Sequence, residues 1–365
     1  MREKKDYIIV VFVAVIFSML VLCCWLKPQD TYSDSERRKL EQLPEFTKET
    51  VLNGTFMDAF EGYAADQFPV RETFRQLKSI SALYAFGQKD IHGIYQKAGH
   101  LSKIDYPLNE TSLERAADKF AWIYETYLSG TKTNVYFSII PDKNTFLGED
   151  GDSLCLDYEE LYEFMQNRTG QMEYIDIADL LELDDYYRTD LHWRQEKITD
   201  VADRLAEHMG VSLLDSYEEK VLETPFYGVY SAQAALGNVG ERLVYLDTEI
   251  FNSCVVYDYE NDRKIAVYDM EKAAGKDAYE IFLSGALSLI TIENPEAASE
   301  KELILFRDSF GSSLAPLLIS GYSKITLVDI RYLSSVFLDK WITFDDQDVL
   351  FLYSTLVLNH SETLK

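Results

Sequence analysis

Cysteine, proline and histidine are all scarce in this chain, with 4, 8 and 5 copies in 365 residues. Cys23 and Cys24 fall inside an apolar run, which leaves Cys155 and Cys254 either to pair in an oxidising space or to persist as two thiols. No Cys-x-x-Cys spacing occurs, so the common zinc and dithiol motifs are missing. The histidines (His92, His100, His192, His208 and His360) show no third ligand at metal-binding spacing, and no metal or cofactor is expected. Cations are also few, with 35 Lys and Arg against 62 Asp and Glu, a net charge of -27. A nucleic-acid surface needs clustered cations opposite the phosphates, and no basic stripe is present, so nucleic-acid partners are argued against. The same charge disfavours adhesion to anionic lipid. The Gly-x-Ser-x-Gly elbow of α/β-hydrolases is absent, as are internal repeats and low-complexity tracts.

What is present begins with one long apolar run. Residues 7–26 carry no charge, and twenty residues at 1.5 Å each span roughly 30 Å, the thickness of a bilayer's hydrocarbon core. Arg2, Lys4 and Lys5 precede the run and should stay cytoplasmic. No small-residue cleavage site follows, and Leu22 stands where a lipoprotein signal needs a small residue, so an uncleaved anchor is expected. Residues 1–27 then form a cytoplasmic tip and transmembrane helix, with the bulk of the chain outside the cytoplasmic membrane. Residues 28–50, polar and charged, read as a stalk. Residues 51–110 read as an N-terminal helical and irregular region packed on the domain, with Phe56, Phe60, Tyr63, Phe74, Leu77 and Ile80 as its apolar positions. Residues 111–365 form the main domain. The 25 Tyr and 20 Phe suit packed sheets or a carbohydrate-facing surface.

The main domain alternates. Leu113, Ala116, Phe120, Ile123 and Leu128 recur at helical spacing over residues 111–130. A β-branched and aromatic run follows at 135–141, then a helix at 157–168 and a strand at 174–177. A strong helix occupies 194–210, closed by Gly210. Strands at 302–306, 324–330 and 348–353 are separated by helical stretches at 311–320 and 332–341. Apolar strands alternating with helices predict an α/β fold, a mostly parallel sheet with helices on both faces. Residues 215–295 break the rhythm. Val255-Val256-Tyr257 and Ile265-Ala266-Val267-Tyr268, joined through Glu260-Asn261-Asp262, predict a β-hairpin, and residues 290–292 add a further run. This stretch reads as a β-rich insertion over one end of the sheet.

Two separated segments carry the chemistry. Thr189-Asp190-Leu191-His192-Trp193 offers a carboxylate and an imidazole two residues apart, and in an extended segment those positions point the same way. Phe306-Arg307-Asp308-Ser309-Phe310-Gly311 ends an apolar strand with a serine and turns into a helix. Ligands of α/β sheets bind beyond the carboxyl ends of the strands, and Ser309 falls there. The first helical N–H groups would face the same crevice and suit an oxyanion. A carboxylate on Nδ1 holds an imidazole in the tautomer that can take a serine proton. Two plainer readings stand beside this one: Ser309 as a helix N-cap, and Asp190 as a cap with His192 packed beneath Trp193. Lys143, after a strand and Pro141, either binds substrate or caps a helix.

The same segments carry a resemblance. The chain resembles the SGNH-hydrolase-like proteins of alginate O-acetylation and, more closely, the DHHW family of Gram-positive bacteria. The matching blocks are Asp190-Leu191-His192-Trp193, Arg307-Asp308-Ser309-Phe310, the segment from Tyr63 to Arg71, Pro141-Asp142-Lys143, the segment from Tyr279 to Gly285, and Val328-Asp329-Ile330-Arg331-Tyr332. They span about residues 45–355. The resemblance implies an SGNH-like sheet with Ser309 as nucleophile, His192 as general base and acid, and Asp190 as orienter. Arg331 and Tyr353, at the ends of neighbouring strands, either line the crevice or serve the structure. The activity implied is O-acetyl transfer to a cell-surface polysaccharide by a membrane-anchored extracytoplasmic enzyme, with an integral-membrane acyltransferase partner as donor. The alternatives are an acetylesterase with the same triad and a non-catalytic carbohydrate-binding or scaffold protein. Departures are visible: Leu191 replaces the first histidine of the DHHW pattern, and Ala286 stands where the resemblance implies an asparagine. The serine also follows the Asp/His pair, the reverse of ordinary SGNH hydrolases, which implies a circularly permuted arrangement.

Overall fold

A computed structural model describes residues 2–33, 36, 38–148, 154–236, 240–275 and 277–365. Asp34, Ser35 and Arg37 of the expected stalk, and residues 237–239 and 276 of the expected insertion, lie outside the described residues. The chain forms two compact units: one runs to His92 and takes in a short segment from Ala232, and the other holds the remainder.

In the first unit, α1 (Arg2–Leu26) contains a stretch, Asp6–Leu26, that is long and apolar enough by length and composition to cross a membrane. Three helices follow: α2 (Lys48–Leu52), α3 (Thr55–Asp66) and α4 (Arg71–Ile80), the last running on through one wider turn at Ser81–Ala85. Thr47 opens α2 with a reciprocal capping box to Thr50. The segment expected to be a stalk is tied down within this unit. Arg38 donates to both carboxylate oxygens of Asp66 at 2.5 and 2.7 Å, and the Glu41 amide adds a third bond.

The second unit is built on eight strands: β1 (Asn134–Ile140), β2 (Glu173–Tyr174), β3 (Val255–Asp258), β4 (Arg263–Ile265), β5 (Leu289–Glu293), β6 (Glu302–Arg307), β7 (Lys324–Val328) and β8 (Asp348–Ser354). Their order across the sheet is β4-β3-β5-β7-β6-β8-β1-β2. The run from β7 to β2 is parallel throughout, while β4, β3 and β5 are antiparallel. The predicted hairpin therefore does not lie over the sheet. It is part of it, because Leu289 to Glu293 pair residue by residue with Val328 to Lys324 and carry β3 and β4 outward as an antiparallel wing. The expected strand at 174–177 shortens to two residues.

Alternation along the strands divides the core between two faces. Leu303 and Leu305 of β6, with Leu350 and Leu352 of β8, face α7 (Thr199–Met209) and α8 (Phe310–Leu318). Ile304 and Phe306, with Val349 and Phe351, face α5 (Glu110–Ile123) and α6 (Tyr158–Arg168). The predicted helix at 194–210 starts only at Thr199, since residues 195–197 form a 3-10 turn, and it ends where Gly210 takes the left-handed conformation. The parallel strands all present their carboxyl ends at one edge. There β6 gives way to Ser309, β7 to Asp329 and β1 to Pro141.

Candidate active site

The β6–α8 turn is shaped by Asp308. One of its oxygens accepts from the Phe310 amide at 3.0 Å and the other from the Ser354 amide at 2.9 Å, which joins the ends of β6 and β8. Asp308 thus does the capping, and the Ser309 side chain makes no cap bond. The same residue engages two amides expected to face an oxyanion: Phe310 N–H meets its side chain, and Gly311 N–H meets its carbonyl at 3.2 Å. Gly311 is required by contact, because a Cβ there would lie 2.7 Å from Cβ of Arg307. From Leu303 to Ile319, Ser309 alone is not buried.

The Asp190–His192 segment is a loop and not a strand end. Tyr186 and Trp193 form a single antiparallel bridge, and the Tyr187 amide donates to the His192 carbonyl at 3.1 Å. Glu241 clamps the outer turn through the amides of Arg188 and Thr189 at 2.6 and 2.7 Å. Inside the loop, Asp190 is fully buried. Its Oδ1 accepts from His192 Nδ1 at 2.6 Å and from the His192 amide at 3.0 Å, while Oδ2 accepts from the Val229 amide at 2.7 Å. Gly228 makes the last bond possible. A Cβ at that position would sit 2.3 Å from the Thr189 backbone, so only glycine lets the chain approach the acid this closely.

The relay then continues outward. An ionised carboxylate can only accept, so Nδ1 of His192 carries the proton and Nε2 is left facing Ser309 Oγ at 2.8 Å. Burial pushes the Asp190 carboxyl up, but the adjacent imidazole and the bonds from His192 and Val229 outweigh it, holding the group well below the ordinary carboxylate range. The imidazole ring is sandwiched. Tyr279 lies parallel to it with centroids 3.9 Å apart and planes 7° apart, and Phe310 covers it at 5.0 Å and 60°. Trp193 does not cover His192. Its indole N–H donates to Ser313 Oγ at 2.9 Å and to the Phe310 carbonyl at 3.2 Å, tying the loop to α8. Tyr279 donates to the same Ser313 hydroxyl at 2.7 Å.

Lys143, Arg331 and Tyr353 form no hydrogen bond with these three residues. Lys143 is buried and donates to the carbonyls of Leu101 and, at 3.0 Å, Tyr187. Burial pulls its pKa down to about 7, against the pull of Asp190, Glu241 and Asp142. Arg331 grips Asp329 with Nε at 2.9 Å and Nη2 at 2.7 Å, a bidentate pair that fixes its orientation. Tyr353 is wholly buried, its ring stacked on Phe120 at 5.0 Å. The bonds and packing shown for the three run to Leu101, Tyr187, Asp329 and Phe120 and not to Ser309. Ala286 follows three left-handed residues, Leu283, Ser284 and Gly285, and supplies no side-chain donor. Among the described residues, no group of three or more His, Cys, Asp or Glu is arranged to hold a metal ion. Cys155 and Cys254 are free thiols. Tyr279, Gly228, Glu241 and Ser313 were not singled out for these roles by the sequence, since each meets the loop from Thr189 to Trp193 across more than thirty residues of chain.

The sheet order and its two helical layers define a mostly parallel α/β domain with helices on both faces, the fold class that the resemblance implies. No protein-family model and no curated protein matches the chain. Solved structures do. A DHHW family protein from Eubacterium siraeum superposes with a TM-score of 0.59 at 19% identity, over 75% of this chain and 95% of that one. PatB1 of Bacillus cereus, solved with a sulfonyl adduct, gives 0.55 at 20% identity, over 73% and 95%. The O-acetyltransferase domain of Pseudomonas putida AlgJ gives 0.46 at 12% identity, over 73% and 92%. The first two likenesses show the fold, and they agree with the resemblance carried by the sequence blocks.

Proposed function

We propose that the chain is a membrane-anchored, extracytoplasmic O-acetyltransferase acting on a cell-surface polysaccharide. The observation that carries this reading is the unbroken relay from Asp190 through His192 to Ser309, at 2.6 and 2.8 Å, ending on the one accessible position of its segment. Ser309 Oγ attacks the acetyl carbonyl of the donor while His192 Nε2 takes the hydroxyl proton, and Asp190 stabilises the imidazolium. The proton then passes to the departing donor group, leaving an acetyl ester on Ser309. A sugar hydroxyl next gives its proton to Nε2 and attacks the ester, and Ser309 recovers its proton as it leaves. With α1 as a membrane anchor the site faces the outside, where an integral-membrane acyltransferase partner hands on the acetyl group.

One observation favours a rival: Ala286 offers no side-chain amide to an oxyanion, which suits a non-catalytic carbohydrate-binding protein of the same fold. The full chain in detergent, challenged with a chromogenic acetyl ester, decides. Wild type should release product at least about 10⁴ times faster than Ser309→Ala, and a sulfonyl fluoride should modify Ser309 alone. Equal, slow release from both proteins would sink the catalytic readings. With an oligosaccharide acceptor present, an acetylated sugar marks a transferase, and free acetate alone marks an acetylesterase.

A further inference from the structure

The first unit contains a helix whose polarity is inverted. The inward face of α4 and its following turn carries Arg71, Arg75, Ser79 and Ala82. Arg71 pairs with Glu36 at 2.5 Å, and Arg75 donates to the carbonyls of Gln233 at 3.0 Å and Ala232 at 3.4 Å. The outward face carries Phe74, Leu77, Ile80 and Tyr84, at steps of three, three and four residues, and these are 46, 59, 46 and 75% exposed. Glu72, Gln76 and Lys78 flank that stripe. A helix bathed in water places its apolar stripe inward, so an outward stripe marks a face that meets something other than water. Val70 opens α4 at φ 50, a conformation costly for a β-branched residue, so the direction of α4 is imposed on it by its surroundings.

The chain itself points to the occupant. Four residues after α1 ends, the Asp30 backbone is locked to the buried Gln67 side chain in both directions, N–H to Oε1 at 3.0 Å and Nε2 to carbonyl at 2.8 Å. Gln29 adds a bond to the Tyr63 hydroxyl at 3.2 Å. Four residues span at most about 14 Å, and Gln67 lies three residues before Val70. Whatever α1 is embedded in therefore begins within a short tether of the start of α4.

We propose that the outward face of α4 lies in the headgroup region of the same membrane that α1 crosses, with Phe74, Leu77, Ile80 and Tyr84 set into the acyl boundary. This rests on the anchor reading of α1 and not on the chemistry at Ser309. Burial of apolar side chains drives the contact, so neutral phosphatidylcholine suffices and about 1 M salt, which screens charges within about 3 Å, leaves it intact.

The test uses the full chain in phosphatidylcholine vesicles, with a benzophenone amino acid introduced singly at Leu77, at Tyr84, at Phe17 in α1 and at Glu125 in the second unit. Illumination should give lipid adducts at Leu77 and Tyr84 at least about fivefold above Glu125, read by mass spectrometry, in low and high salt alike. Adducts at Phe17 without adducts at Leu77 or Tyr84 would overturn the proposal alone, and cross-linked dimers through Leu77 would overturn it in favour of a second copy. Lipid adducts absent from Phe17 as well would overturn the anchor and this inference together, while sulfonyl labelling of Ser309 in the same samples reports separately on the catalytic reading.

Discussion

Two clusters of buried charge stand at neighbouring strand ends in the second unit, and they do different things with the same materials. Beyond β7, Asp329 is held by Arg331 through its Nε, Nη2 and backbone amide, with the fully buried Arg307 3.6 Å away. Beyond β6, Ser309 is met by an imidazole instead, whose other nitrogen faces the Asp190 carboxylate. Guanidinium groups keep their protons at any ordinary pH, so the Asp329 cluster has nothing to pass on and closes upon itself. Imidazole both gives and takes a proton near neutrality, and its far nitrogen ends on an accessible hydroxyl. Buried charge alone does not mark a site; an exchangeable proton with an outlet does.

The comparison breaks most easily at its two carboxylates. Asp190→Asn puts an amide donor where Nδ1 needs an acceptor and should favour the wrong tautomer. We expect acylation of Ser309 by an activated acetyl ester to fall about 10⁴-fold while the fold persists. Asp329→Asn should do the reverse. Removing the charge and one acceptor oxygen that face the buried Arg307 and the half-buried Arg331 should lower the unfolding free energy by about 3–5 kcal/mol in urea titrations, with acylation per folded molecule unchanged. If Asp329→Asn instead slowed acylation at constant stability, the two clusters would have to be treated as one site.

The difference between the clusters was only half legible in the sequence. Asp190 and His192 are neighbours in the chain and Ser309 ends an obvious strand, so local spacing and the parallel-sheet rule were enough to nominate them. Arg331 and Tyr353 were also at strand ends, but what turns them inward is a partner, Asp329 for one and Phe120 for the other, that spacing does not name. Short β-branched runs read alike whether they form a separate hairpin or extend a sheet, so the place of β3, β4 and β5 depended on pairings with β7. Phe74, Leu77 and Ile80 were readable as an apolar stripe, but periodicity gives a stripe without saying which way it faces.

Lys143 is a third buried charge and sharpens the contrast from outside it. Its unfolded pKa of 10.5 falls to about 7 in the folded protein through burial, against Asp190, Glu241 and Asp142. Between those values the unfolded chain binds the proton and the folded chain does not, so stability rises with pH across that window, and the cost of the buried ammonium is complete below about 7. From pH 7 to 9, before tyrosines of the unfolded chain ionise near 10, this group contributes up to about 1.4 kcal/mol per pH unit. Urea midpoints of wild type should climb over that range relative to Lys143→Met, in which this contribution is absent. Parallel pH profiles for the two proteins would place the titration elsewhere.

The smallest effect concerns what holds the imidazole once it is charged. Tyr279 lies 3.9 Å from His192 and nearly parallel to it, and its hydroxyl is spent on Ser313. An aromatic face stabilises a cation above it, so the stack should favour the imidazolium formed when Ser309 loses its proton. Tyr279→Phe keeps the ring, and Ser313 keeps its bonds to Trp193 and Phe310, so acylation should stay within about threefold of wild type. Tyr279→Leu removes the ring, and an aromatic pair worth about 0.5–1.5 kcal/mol implies a loss of up to about tenfold. Comparing acylation rates in the two variants separates the ring from the hydroxyl: a loss in Tyr279→Leu with near-wild-type acylation in Tyr279→Phe assigns the effect to the stack. Equal losses in the two variants would show that the hydroxyl bond to Ser313, and not the stack, positions the base.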